Sequence, residues 1–161
     1  SNTMSNLLVQ NIKHTNGTTS MVVDSSGHVA TDTIKGNSTA GSISVVGEGN
    51  STTTNLQQGL AKAWFNMDCT GTPSYRDSLN CSTLTDGGTG IMTHNFTNNM
   101  GNATYALSGA PGGTSGGWAD SLAHYWQDEP DTTSSSKIGL TYNTSPSDND
   151  RHTGSYHGDL A

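Results

Sequence analysis

Between Pro111 and Pro130 the chain gathers its densest group of chemically capable side chains: Trp118, Asp120, His124, Tyr125, Trp126, Asp128 and Glu129. Sugars present apolar C–H faces that stack on aromatic rings, while carboxylates and amides fix their hydroxyls. Trp118, Asp120, His124, Tyr125 and Trp126 are therefore the candidate ligand-binding residues. The competing reading is packing, because large rings are mostly buried in a core or a subunit interface. Asp120, His124 and Asp128 are spaced i, i+4, i+8, so a helix would put all three on one face, where they could hold a metal. An exposed polar face is the plainer account, and no metal site is expected.

Two enzymatic patterns are weaker. Gly113-Thr114-Ser115-Gly116-Gly117 matches G-x-S-x-G, followed in triad order by Asp131 or Asp150 and by His152 or His157. A nucleophile elbow requires a parallel α/β sheet, and this chain lacks alternating β and α patterns. Glycoside hydrolysis needs paired carboxylates. The chain has two glutamates in different regions, Glu48 and Glu129, and eleven aspartates with no preferred pair. His152 and His157 are five apart, so a strand would turn them to opposite sides. The expectation is a protein that is not an enzyme and needs no cofactor.

The elements that must carry these residues are short and polar. Ser, Thr, Asn and Gly make up 80 of 161 residues, whereas Leu, Ile, Val and Phe total 23. Such a composition favours turns and strand edges over helices. It also leaves little to bury in a single chain, so the expectation is a turn-rich β protein that borrows burial from copies of itself. The net charge of −7, with six Lys plus Arg, argues against nucleic acid. No apolar run is long enough to span a membrane, and no signal peptide is visible. Two cysteines, Cys69 and Cys81, are too few for a disulfide framework. They either pair across a hairpin or remain free thiols on neighbouring strands.

Along the chain, segments 7–12, 21–23, 28–34 and 42–46 read as short strands, with turns at Asn16-Gly17 and at 24–27. Residues 47–55 read as a linker or an extended crossing. After it, 63–68 alternates Trp64, Asn66 and Asp68 against Phe65, Met67 and Cys69. Further strands are expected at 78–84, at 91–96 with Met92, His94 and Phe96 on one face, at 104–108, at 137–142 with Ile138, Leu140 and Tyr142 inward, and at 155–160. Residues 118–126 have apolar side chains at i, i+4 and i+8, which suits a short helix or an aromatic-rich loop.

Two stretches carry a resemblance. Asn11-Ile12-Lys13-His14-Thr15-Asn16-Gly17-Thr18-Thr19, with Asp24-Ser25-Ser26-Gly27, resembles the N-terminal segment of structural proteins from marine and cyanobacterial phages. Lys62-Ala63-Trp64-Phe65-Asn66, Arg76-Asp77-Ser78-Leu79-Asn80, Leu84 to Gly90, Asn95-Phe96-Thr97 and Asn102-Ala103-Thr104-Tyr105 together resemble a bacteriophage tail-fibre module. The resemblance implies an all-β homotrimer: an interwoven N-terminal shaft or attachment segment over 1–55, then an antiparallel β-sandwich head over 56–161. It implies a virion protein made in the host cytoplasm, in contact with other tail proteins and adhering to a bacterial surface glycan or outer-membrane receptor. A purely structural virion component is the alternative, and a polysaccharide depolymerase is a more distant one.

Overall fold

The computed structural model describes residues 11–13, 15–17, 19–36, 43–112, 122–126, 131–142 and 144–161, with the backbone alone at Asn11, Thr19, Ser20 and Leu122–Trp126. Its contacts divide the chain into two compact units, Ser1–Ser42 and Ile43–Ala161.

The first unit is a three-stranded antiparallel sheet: β1 (Asn11–Lys13), β2 (Thr19–Val23) and β3 (Val29–Ala30) in that order. Gly17 and Gly27 take positive φ in its turns, as tight hairpin turns require. Asp24 closes the second turn. Its carboxylate accepts from the Ser26 and His28 amides at 2.8 Å each, which holds the group below the usual carboxylate range. None of the described side chains from 12 to 36 is buried, and Ile12, Val23, Val29 and Ile34 are all substantially exposed.

The second unit opens with a hairpin of β4 (Ser44–Val46) and β5 (Thr53–Asn55). Residues 47–55 are thus a loop and a strand rather than a linker. Gly47 and Asn50 make the reversal, with Asn50 at φ 56°, a left-handed conformation that asparagine tolerates. A single helical turn, α1 (Leu56–Gly59), follows, capped by the Asn55 side chain, which accepts from the Gln58 amide.

Among the described residues, nine further strands form two antiparallel sheets. One has the order β10 (Ala106–Gly112), β14 (Arg151–His157), β6 (Ala63–Asp68), β7 (Ser74–Leu79). The other has the order β11 (Leu122–Trp126), β12 (Ser135–Tyr142), β9 (Ile91–Phe96), β8 (Cys81–Gly88), with β13 (Ser145–Pro146) added beside β12. All pairings are antiparallel. The chain is all-β apart from α1, and rings from the two sheets meet across one core: Phe65 of β6 lies 4.1 Å from His94 of β9.

The alternation of β6 and β9 places Ala63, Phe65, Met67, Met92, His94 and Phe96 inside. Ile138 and Leu140 of β12 join them, whereas Tyr142, at the strand's end, is 48% exposed rather than inward. Three methionines and four aromatic rings fill the interior where Leu, Ile and Val are scarce: Met67, Met92, Met100, Phe65, Phe96, Tyr105 and Tyr156. The expectation that one chain cannot build a core is therefore corrected for this unit. Unbranched Met side chains adapt to irregular space, and each ring buries a large area.

Boundaries differ at several strands: 28–34 holds only β3, 104–108 becomes β10, and two further differences have a clear local cause. The expected strand 78–84 is two strands in different sheets, because Asn80 at φ 56° turns the chain from β7 to β8. The last strand is Arg151–His157 rather than 155–160, since Tyr156 and His152 must pair with β6 and face the core.

Candidate ligand-binding face

Trp118 and Asp120 lie outside the described residues, as do Asp128, Glu129 and the 113–117 motif with Ser115. Leu122–Trp126 is strand β11, not a helix. His124, Tyr125 and Trp126 pair in register with Leu140, Gly139 and Ile138 of β12. The apolar β12 offers this segment a full ladder of hydrogen bonds, and that tertiary pairing outweighs the helical spacing. His124 therefore sits on a strand rather than a helix, and Asp120 and Asp128 of the expected i, i+4, i+8 face lie outside the described residues. No group of three or more His, Cys, Asp or Glu side chains among the described residues could hold a metal ion. No described helix is long and apolar enough to cross a membrane.

The apolar interior also holds buried polar side chains, His94, Ser136, Asn149 and His152. Tyr75 Oη of β7 and His94 Nδ1 of β9 are hydrogen-bonded at 2.8 Å, joining the two sheets. Burial raises the Tyr75 hydroxyl, and the neighbouring Cys81 thiol adds to the effect. Burial likewise raises Tyr105 and Tyr156. It pushes the Cys69 thiol up to about 12, aided by Asp148 and Asp68, and the Cys81 thiol up to about 11. Phenols and thiols raised in this way stay neutral near pH 7. His152 lies buried against Phe65, ring centroids 5.2 Å apart, while His157 on the same strand is partly exposed.

Both cysteines are free. They are neither bridged nor on neighbouring strands, because β6 and β8 belong to different sheets. Cys81 Sγ lies 3.6 Å from the Trp64 carbonyl, and Cys69 is five residues farther along that strand. At about 3.3 Å per residue they sit far beyond the reach of a disulfide.

The outer surface of the four-stranded sheet has a different character. Strand register sets out two rows across all four strands. Leu79, Trp64, Ser155 and Ser108 form one, and Asp77, Asn66, Thr153 and Ala110 form the next. Trp64 is partly exposed, and Leu79 beside it is 49% exposed. Asn66 Oδ1 is buried with no hydrogen-bond partner among the described residues. Asp68 pairs with Arg76 at 2.8 Å beyond the second row. The Thr70 hydroxyl and amide, then Arg76, hold the Asp68 carboxyl below its usual range. Asp68, Asp77, Arg76 and Arg151 give this end of the face two charges of each sign.

An amphipathic ring beside hydroxyls, an amide and balanced charge can bind a polar ligand with a flat apolar side. The sequence signal for it was present in the alternation of Trp64, Asn66 and Asp68. Nothing in the sequence indicated that residues 108, 153 and 155 complete the surface. No protein-family model matches this chain, and no curated protein or solved structure matches it.

Proposed function

We propose that this chain is a tail-fibre-type structural protein of a bacteriophage virion, assembled as a homotrimer in the host cytoplasm. It mediates adhesion to a bacterial surface glycan or outer-membrane receptor. The observation that carries the reading is the contrast between the two units. The second has a complete core of its own, while the described side chains of the first expose Ile12, Val23, Val29 and Ile34 and bury none. A three-stranded sheet without a covered apolar face is not independently stable. Copies of the same chain would supply the cover, as an interwoven shaft does. The resemblance of 11–27 and 62–105 to phage structural segments points the same way.

Light scattering on the purified chain, with and without SDS at room temperature, tests the assembly. A species three times 16.7 kDa is expected. A folded monomer overturns the shared-shaft reading. Pull-down of labelled chain on candidate bacterial cells tests adhesion, and the absence of binding to every host tried overturns it.

A further inference from the structure

We infer that the outer face of the four-stranded sheet, centred on Trp64, is a binding site for a neutral oligosaccharide. The inference rests on the adhesive reading above and gives it a place and a ligand class.

Three observations carry it. Trp64 sits mid-row between Leu79 and Ser155, on the side of β6 opposite the buried Phe65 and Met67, and it remains partly exposed. A tryptophan on a flat strand surface offers a pyranose ring an apolar plane and a polar edge. Around it stand groups suited to sugar hydroxyls: Ser155 and Ser108 in its own row, and Asn66, Thr153 and Asp77 in the next. Asn66 Oδ1 is buried without a hydrogen-bond partner among the described residues, a cost that a turn of its side chain toward a ligand hydroxyl would relieve.

The charge pattern selects the class. Among the described residues, Asp68 is neutralised by Arg76, Asp77 and Arg151 add one charge of each sign, and Lys62, its ammonium held by the Gln57 and Leu60 carbonyls, adds one positive charge, so the net charge is small. An anionic polymer such as a uronic-acid capsule gains nothing from such a face, and a polycation gains little. A neutral sugar chain has no charge to desolvate. It meets an aromatic platform flanked by short hydroxyl side chains that lose little rotamer entropy on binding.

The test is a printed array of neutral bacterial O-polysaccharide fragments and uronic-acid-containing capsular fragments, probed with labelled full-length chain. At least one neutral fragment should bind, and Trp64→Ala should weaken it at least tenfold with the thermal midpoint unchanged. Because Trp64→Ala can disturb the fold, Ser155→Trp provides a second variant. It crowds the face from the neighbouring strand without touching the core and should weaken binding as much. Binding retained in both variants overturns the site, as do preference for the acidic fragments and no binding to any fragment. Failure of the adhesive reading shows separately: wild-type chain that ignores every cell type tells against adhesion whatever the array reports. Cell binding that survives both variants removes this face and leaves adhesion standing.

Discussion

Phe65 of β6 stands directly across from Gly154 of β14, and a Cβ on Gly154 would come within 2.7 Å of the Phe65 Cζ. The ring occupies the space a side chain would have taken, between His94 at 4.1 Å and His152 at 5.2 Å. Gly154→Ala should therefore cost about 1–3 kcal/mol by overpacking, and Phe65→Ala about 3–5 kcal/mol by leaving a cavity. The double variant should cost less than the sum of the two, since removing the ring removes the clash. Urea denaturation of the four proteins measures the coupling, and strict additivity would contradict this packing.

The hydrogen bond between Tyr75 and His94 is one polar link between the two sheets. Tyr75→Phe keeps the ring and removes the hydroxyl, so the loss should be about 1–3 kcal/mol, as for a buried group deprived of a partner. Chemical denaturation reads the change directly. A variant as stable as the parent would show that this link contributes nothing.

Raised thiol values predict both reactivity and alkaline behaviour. A thiol whose folded value lies above its ordinary 9.0 stabilises the fold in full below about pH 9. That contribution is lost as pH rises through about 11 for Cys81 and about 12 for Cys69. Native chain at pH 8 should resist thiol reagents, with partly exposed Cys81 modified before buried Cys69. Both should react at once in denaturant. Rapid native labelling of Cys69 would mean that the end of β6 is open.

Asp131 works in the opposite sense from an ordinary surface carboxylate. Burial raises it, and the Ser136 hydroxyl, the Lys137 amide and the Tyr105 hydroxyl oppose that rise only in part. Its stabilising contribution is therefore present at low pH and lost as pH climbs through the raised value. Asp131→Asn should melt higher than the parent at pH 7, with the advantage gone by about pH 3, below the ordinary aspartate range. An unchanged or lower melting temperature at pH 7 would refute the desolvation account.

At Gly90 the demand is on the backbone. Its φ is +72°, and a Cβ there would meet the Leu140 carbonyl oxygen at 2.5 Å and the Ser147 nitrogen at 2.7 Å. Those two atoms are bonded to each other, Ser147 N donating to Leu140 O, beside the bonds that hold Gly90 itself: Leu140 N donates to Gly90 O, and Gly90 N to Asp148 Oδ1. Gly90→Ala should cost about 3 kcal/mol through strain and displacement together. The thermal midpoint tests this, with Gly71→Ala, where nothing lies within 4 Å, as the control for positive φ alone.

The strands with one buried face were readable because a period of two is a local property. Trp64-Phe65-Asn66-Met67 declares its inside and outside without reference to any partner. What single residues decide was not readable. Asn80 redirects the chain from one sheet to the other, and Asn50 turns a polar stretch into a hairpin, each with one left-handed conformation that composition does not announce. The 118–126 segment misled because its spacing fits a helix, while its actual state at 122–126 depends on β12, whose Ile138 to Tyr142 lies twelve or more residues downstream. The Trp64 face was half legible: β6 showed its outward residues, but the rows beside it come from residues 77, 108, 153 and 155.

Strand order has a consequence for synthesis. β14 is the last strand along the chain, yet it lies between β10 and β6 inside the four-stranded sheet. Until residues 151–157 emerge from the ribosome, β6 and β10 have no neighbour to join them, and Phe65 has no Gly154 to cover. At roughly 5–20 residues per second, β6 spends several seconds with one edge open, paired to β7 alone. A product cut short before residue 151 would leave that edge of β6 and the Phe65 ring uncovered, so the sheet closes only when its most distant segment arrives.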